Sequence, residues 1–239
     1  MTTSPGYDYD TGIPAGFYDE IHRRGAGVRY AWHDLKFRAV AARLDGARRL
    51  LDVGCGPGTF IGNYVAATEA LGIDASAPQV AYARRTYGSD RRRFATTTVA
   101  DLAAAGERFD AVTMIELVEH LAPDAARGLL AAARGLLAPG GRLVLTTPNY
   151  GSAWPAIEWA LNRASSVRYE AQHVNRYRRG RLAADLAAAG FAAIDVATAV
   201  GFAPFAAVLG MGATRSLDAL ERRLGHLGIG HLLLAEARP

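Results

Sequence analysis

The run Leu50-Leu51-Asp52-Val53-Gly54-Cys55-Gly56-Pro57-Gly58-Thr59-Phe60 constrains the fold more than any other stretch of the chain. A short apolar segment reads as a strand, three glycines follow on alternate positions, and a helix opens behind them. Glycine tolerates φ > 0 and lets the backbone approach a ligand closely. The first N–H groups of the following helix have no partner inside the helix, so they can face an electron-rich ligand. Such a turn fits a nucleotide-like cofactor. Its spacing narrows the choice: dinucleotide sites use G-x-G-x-x-G, whereas Gly58 falls four residues after Gly54.

Further segments follow in order. Leu71-Gly72-Ile73-Asp74 reads as a second strand ending in an acid, and Thr98-Val99-Ala100-Asp101-Leu102 comes next. Phe109-Asp110-Ala111-Val112-Thr113-Met114-Ile115-Glu116 reads as the fourth strand, and Leu137-Ala138-Pro139-Gly140-Gly141 leads into the fifth, which reaches Pro148-Asn149. Together with the D-x-G-C-G-x-G turn, these segments resemble the motifs of class I S-adenosylmethionine (SAM)-dependent methyltransferases over residues 48–150. The resemblance implies an α/β, Rossmann-like, seven-stranded sheet with its last strand antiparallel and helices on both faces. It also implies SAM as the methyl donor, resting on Asp52, Gly54, Gly56 and Gly58. Asp74 would accept from both ribose hydroxyls, a bidentate role suited to a carboxylate. Asp101 would accept from the adenine amine while the Leu102 N–H donates to the ring. Ile115 and Glu116 would stand beside the methionine part.

A chain of 239 residues fits one domain with accessories. Residues 1–45 read as an N-terminal helical cap, with a loose lead-in over 1–14 and helical patterns at 15–25 and 30–45. Residues 46–239 read as the methyltransferase domain, and 151–175 as an insertion after the fifth strand that shapes the acceptor pocket. Tyr177 to Ala189 reads as a helix closed by Gly190, and Phe191 to Val200 as the sixth strand. Gly228 to Ala237 reads as the last strand, which in the resembled family lies between the fifth and sixth.

Arginine doublets and the triplet Arg91-Arg92-Arg93 are scattered, and a net charge of +4 is small, so no nucleic-acid stripe is expected. The lone Cys55 permits no intrachain disulfide and reads as a small packing residue, consistent with a reducing, cytoplasmic setting. No secretion-signal pattern opens the chain. Val196 to Thr214 carries no charge, close to a spanning length, but Gly201, Pro204, Gly210 and Gly212 interrupt it. A transmembrane span is therefore not expected. A short apolar helix or loop at 202–211 can pack in the core, cover a substrate pocket or touch a membrane peripherally.

Two segments bear on the reaction. In Glu116-Leu117-Val118-Glu119-His120, offsets of three and four residues share one face of a helical turn. Carboxylates and imidazole suit Mg²⁺ or Mn²⁺. This E-x-x-E-H resembles a motif of ubiquinone-pathway O-methyltransferases and of small-RNA 2′-O-methyltransferases. In the latter it binds a divalent metal together with a later histidine. The resemblance implies Glu116, Glu119, His120 and His173 as metal ligands. The same motif also occurs in methyltransferases with no known metal need. There Glu116 orients SAM, and Glu119, His120 or His173 can serve as catalytic groups at the acceptor.

The second segment, Arg176-Tyr177-Arg178-Arg179-Gly180-Arg181, reads either as a solvated helix start or as a holder for an acidic acceptor. Trp154 and Trp159 can stack on an aromatic or sugar acceptor or sit in the core. Lys36 or Tyr30 can reach the SAM carboxylate from the cap. The expected function is methyl transfer to a small-molecule hydroxyl. N-methylation, a lipid-like acceptor and a catalytically silent SAM-binding partner protein are the alternatives.

Overall fold

The strand carrying the glycine turn is paired in parallel on both sides, and that double pairing lays out the sheet. A computed structural model of the protein describes residues 14–164, 173–223 and 230–239. Strand β1 (Arg49–Val53) lies between β2 (Glu69–Ile73) and β4 (Phe109–Ile115), with Asp52 opposite Thr113 and Gly72. β3 (Arg92–Ala95) extends one side; β5 (Leu137–Pro148), β6 (Ala193–Ala199) and β7 (Leu232–Arg238) complete the other. The strand order is β3-β2-β1-β4-β5-β7-β6, with β7 antiparallel to both β5 and β6. This is the expected Rossmann-like sheet, including the antiparallel strand between the fifth and sixth. Strand order reverses between β1 and β4, and in open α/β sheets that crevice takes ligands.

Alternation along β1 splits the core in two. Leu51 and Val53 pack with Met114, Leu143, Leu145 and Tyr177 on one face. Leu50 packs with Phe60, Val80, Phe94 and Val144 on the other. Both clusters are closed by helices: α3 (Thr59–Tyr64) and α4 (Ala77–Tyr87) contribute to the second, α5 (Val99–Ala104) and α6 (Pro123–Gly135) to the first.

The cap consists of α1 (Phe17–Arg24) and α2 (Gly27–Ala41). The second helix stops short of residue 45 because Asp45-Gly46 turns the chain, with Gly46 at φ 75° and the Ala47 N–H donating to Leu44. The lead-in up to residue 13 lies outside the described residues, as do Tyr169, Glu170 and Gly228. After β5 come α7 (Trp154–Ala164), α8 (Arg179–Ala188), a 3₁₀ segment over Ala203–Leu209 and α9 (Met211–Arg223). Gly190 at φ 90° follows α8 as expected. Arg178 and Arg179 are exposed at the start of α8, the solvated reading of that arginine run. Helix α9 carried no signal that the sequence reading used. No helix among the described residues is long and apolar enough to cross a membrane.

One buried carboxylate fastens the cap. Asp19 of α1 accepts from Thr59 Oγ1 at 3.0 Å and Tyr82 Oη at 2.9 Å, and from Tyr87 Oη as well. It is fully buried. Asp19→Ala orphans three hydroxyl donors, so it lowers the unfolding free energy by about 2 kcal/mol. Urea denaturation with an unchanged m-value is the check.

Candidate active site

The parallel strands all end on the same side, and the acids in their last positions gather there. Asp52 is 2 % exposed and accepts from Thr113 Oγ1 at 2.7 Å. Burial pushes its pKa up to about 7, against the pull of Thr113 and with a further push from Asp74. The turn beyond it holds Gly54, Gly56 and Gly58 at φ 77°, 51° and 77°. A Cβ on Gly58 would stand 2.8 Å from Phe94 and 2.9 Å from Ala83, so both the conformation and the space exclude a side chain. Asp74 accepts backbone N–H groups at both oxygens, from Gly56 at 2.8 Å and Ser76 at 2.9 Å. The turn and the acid of β2 are thus one hydrogen-bonded unit.

At the end of β4, Glu116 has a left-handed backbone (φ 50°) and pairs with Lys36 of α2. Burial would raise its pKa, but Lys36, through its charge and its hydrogen bond, leads the opposing pull that holds the carboxyl below its ordinary range. Lys36 is itself 3 % exposed. Next to it His33 is neutral: burial, with Lys36 adding, drives its pKa down to about 3.

A second group forms where the 3₁₀ turn Val118–His120 faces the chain after α7. Ligand-capable atoms of Glu119, His120 and His173 lie within 4.8 Å of one another. The Thr147 hydroxyl donates to Glu119 Oε2 at 2.9 Å, while the buried Oε1 has no partner among the described residues. Burial pushes the Glu119 pKa up to about 7, with His173 opposing. His173 Nδ1 donates to Glu158 Oε1 at 2.5 Å. Burial alone would depress the imidazole pKa, but Glu158 and then Glu119 raise it on balance. An orphaned carboxylate oxygen in a buried site beside two imidazoles fits a divalent cation.

Glu116 lies outside that group of three. The expected quartet presumed one helical turn over 116–120, but only Val118–His120 is helical and Lys36 engages Glu116. Asp101 and Leu102 also fall outside the cavity wall. The Asp101 carboxylate closes a capping box, accepting from the Thr98 N–H at 3.0 Å and the Thr98 hydroxyl at 2.7 Å.

A cavity of about 340 Å³ joins the two groups. Asp52, Gly54, Gly56, Asp74, Ile115 and Glu116 line one end; Glu119, His120, His173, Trp32, Trp154 and Phe205 line the other. Trp32 of the cap and Trp154 of α7 meet with ring centroids 5.2 Å apart and planes tilted by 35°. Trp159 instead is 61 % exposed, with Arg163 over its ring.

Residues 23–196 match a family model described as a methyltransferase domain. The chain belongs to that methyltransferase family. Over 121 residues this methyltransferase is 38% identical to the ubiquinone biosynthesis O-methyltransferase of Cereibacter sphaeroides, covering 47% of this chain and 48% of the relative. Identity with the Alkalilimnicola ehrlichii protein of the same name is 41% over 121 residues, covering 48% of each. The chain spans about half the length of the curated relatives it matches. A SAM-dependent methyltransferase structure from Thermotoga maritima superposes with a TM-score of 0.65 at 17% identity, covering 93% of this chain and 95% of that one. Magnesium protoporphyrin IX methyltransferase from Synechocystis with bound SAH gives 0.57 at 17% identity, covering 89% and 85%. The shared fold is that of the class I SAM-dependent methyltransferases.

Within this methyltransferase several site residues escaped the sequence reading: Tyr150, Glu158, Thr147, Trp32 and His33. One signal was present. Trp154 and Glu158 are four apart on α7, hence on one face, and both are buried while Trp159 is not. The raised Asp52 pKa gives a pH test. Between pH about 4 and about 7 the folded protein keeps a proton that the unfolded chain releases, so stability falls as pH rises. The contribution falls by at most about 1.4 kcal/mol per pH unit in that window. Asp52→Asn makes this decline shallower, leaving the part of the same sign that Glu119 contributes, as measured by urea denaturation of the cofactor-free protein at several pH values.

Proposed function

We propose that this SAM-dependent methyltransferase transfers the methyl group to a hydroxyl oxygen of a small aromatic acceptor bearing two neighbouring oxygens. The observation that carries this reading is the Glu119–His120–His173 group on the cavity wall, with one Glu119 oxygen unpartnered. The tilted pair Trp32 and Trp154 beside it offers an aromatic, apolar wall to an aromatic ring. The names of the curated relatives point to the same chemistry.

In this reading SAM lies along Gly54, Gly56 and Gly58, its ribose toward Asp74 and its adenine toward Asp101 and Leu102. Its methionine end meets the Lys36–Glu116 pair. The methyl carbon leaves sulfur, which keeps the bonding electron pair, and joins the acceptor oxygen, whose proton must depart. Without a bound cation, Glu119, whose carboxyl burial pushes up to about 7, or His173, whose imidazole pKa its carboxylate neighbours raise, takes that proton. Alignment of oxygen, methyl and sulfur supplies much of the rate, and the aromatic wall supplies the alignment. A divalent cation held by Glu119, His120 and His173 would bind two acceptor oxygens and lower the pKa of the attacking hydroxyl.

One observation favours a second acceptor class. Phe205 lines the cavity and belongs to an exposed apolar run with Phe202, Val208 and Leu209. That run offers a lipid-like tail a path out of the pocket.

Mn²⁺ titrated by calorimetry into the SAH-loaded protein tests the leading reading. Saturable binding is expected, with its loss in Glu119→Ala and a fall of about 10²–10³-fold in kcat/KM toward a catechol acceptor. Absence of binding, with catechol turnover unaffected by the substitution, would overturn it and return nitrogen acceptors to equal standing.

A further inference from the structure

We infer that Glu158, held by Tyr150, is the positioning residue that sets which nitrogen His173 presents to the cavity. The inference rests on the reading that His173 serves the acceptor side of the site. Its own basis is a hydrogen-bond chain that the sequence did not reveal.

A carboxylate accepts hydrogen bonds and donates none. The 2.5 Å contact between Glu158 Oε1 and His173 Nδ1 therefore assigns a proton to Nδ1. In the neutral ring the lone pair then sits on Nε2, the nitrogen suited to hold a cation or take a proton. Tyr150 fixes the carboxylate in turn. Its hydroxyl lies 2.9 Å and 3.0 Å from the two Glu158 oxygens and donates into that pair. The Tyr150 oxygen is also 3.0 Å from His173 Nδ1, so the three groups form a closed triangle.

Burial is what gives the triangle its grip. Glu158 is 4 % exposed and His173 is 7 % exposed, so water does not compete for these bonds. Arg176 stands over the Tyr150 ring at 5.5 Å and adds positive charge near the carboxylate. Burying a carboxylate costs several kcal/mol unless its partners compensate. The Glu158 carboxylate bonds run away from α7, to His173 and Tyr150. Trp154, one turn earlier on the same helix, places its ring centroid 6.5 Å from that of His173. A ligating imidazole typically donates its other N–H to a carboxylate, and loss of that carboxylate weakens metal binding about 10–100-fold.

The test uses the full chain loaded with SAH, with Glu158→Gln and Tyr150→Phe compared against wild type. Two readouts are taken: the Mn²⁺ dissociation constant by calorimetry, and the protonated nitrogen of His173 by ¹⁵N NMR at a pH where the ring is neutral. Wild type should carry its proton on Nδ1. Glu158→Gln should mix the tautomers and weaken Mn²⁺ binding about 10–100-fold, with Tyr150→Phe shifting both readouts less. A wild-type proton on Nε2, or an unchanged tautomer and dissociation constant in folded Glu158→Gln, would overturn the inference while leaving the metal reading intact. Failure of wild type to bind Mn²⁺ would sink the metal reading. The NMR comparison would then still decide the role of Glu158.

Discussion

The crowding of carboxylates at one edge of the sheet is the constraint around which the molecule is arranged. Parallel pairing makes β1, β2 and β4 finish on the same side, so Asp52, Asp74 and Glu116 arrive together, and Glu119 follows within one short turn. In a medium of low effective dielectric, such neighbours repel strongly and pay for desolvation as well. The fold answers each differently. Asp74 takes two backbone N–H groups, Glu116 takes the chain's single lysine, and Asp52 leans on Thr113 and favours its protonated form. Glu119 keeps one buried oxygen without a partner among the described residues, which leaves it receptive to a proton or a cation.

This arrangement gives the N-terminal cap a role beyond covering a cleft. Lys36 reaches Glu116 from α2, Asp19 ties α1 to α3 and α4, and Trp32 meets Trp154 of the insertion. Cap and insertion are therefore walls of one cavity. One part of that cavity is built on strand ends and a glycine turn. The rest is built from side chains of elements distant in sequence, the combination through which one fold hosts many chemistries.

That division also explains what could be read from the chain. The individual strands and the glycine turn were legible because each has a local signature, alternation, turn residues or a fixed spacing, whereas the antiparallel β7 and its place between β5 and β6 were legible only through the family resemblance. The pairing of His120 with His173 was legible only through resemblance, and the coordinates place their rings 5.3 Å apart. Glu116 stands apart from the group of Glu119, His120 and His173 because spacing presumes a continuous helical turn, whereas its φ of 50° breaks that turn and Lys36 engages its carboxylate. The capping box at Asp101 is a local pattern that the functional reading passed over. Glu158 and Tyr150 were out of reach for a different reason. Their meeting with His173 is a tertiary event between a helix and a segment beyond it.

The position of β7 has a consequence for the order in which the protein can become itself during synthesis. The strand is the last of the seven to be made, yet it lies inside the sheet, with β5 on one side and β6 on the other. Until residues 232–238 have emerged, β5 has an open edge from Leu143 to Pro148 and β6 has no hydrogen-bonded neighbour. Open edges of that kind invite wrong partners. Thr147, which donates to Glu119, sits on that same edge opposite Leu233. The seventh strand thus closes the core and braces the wall that holds Glu119 in one event, and a nascent chain lacking it has the glycine turn but an unfinished cavity.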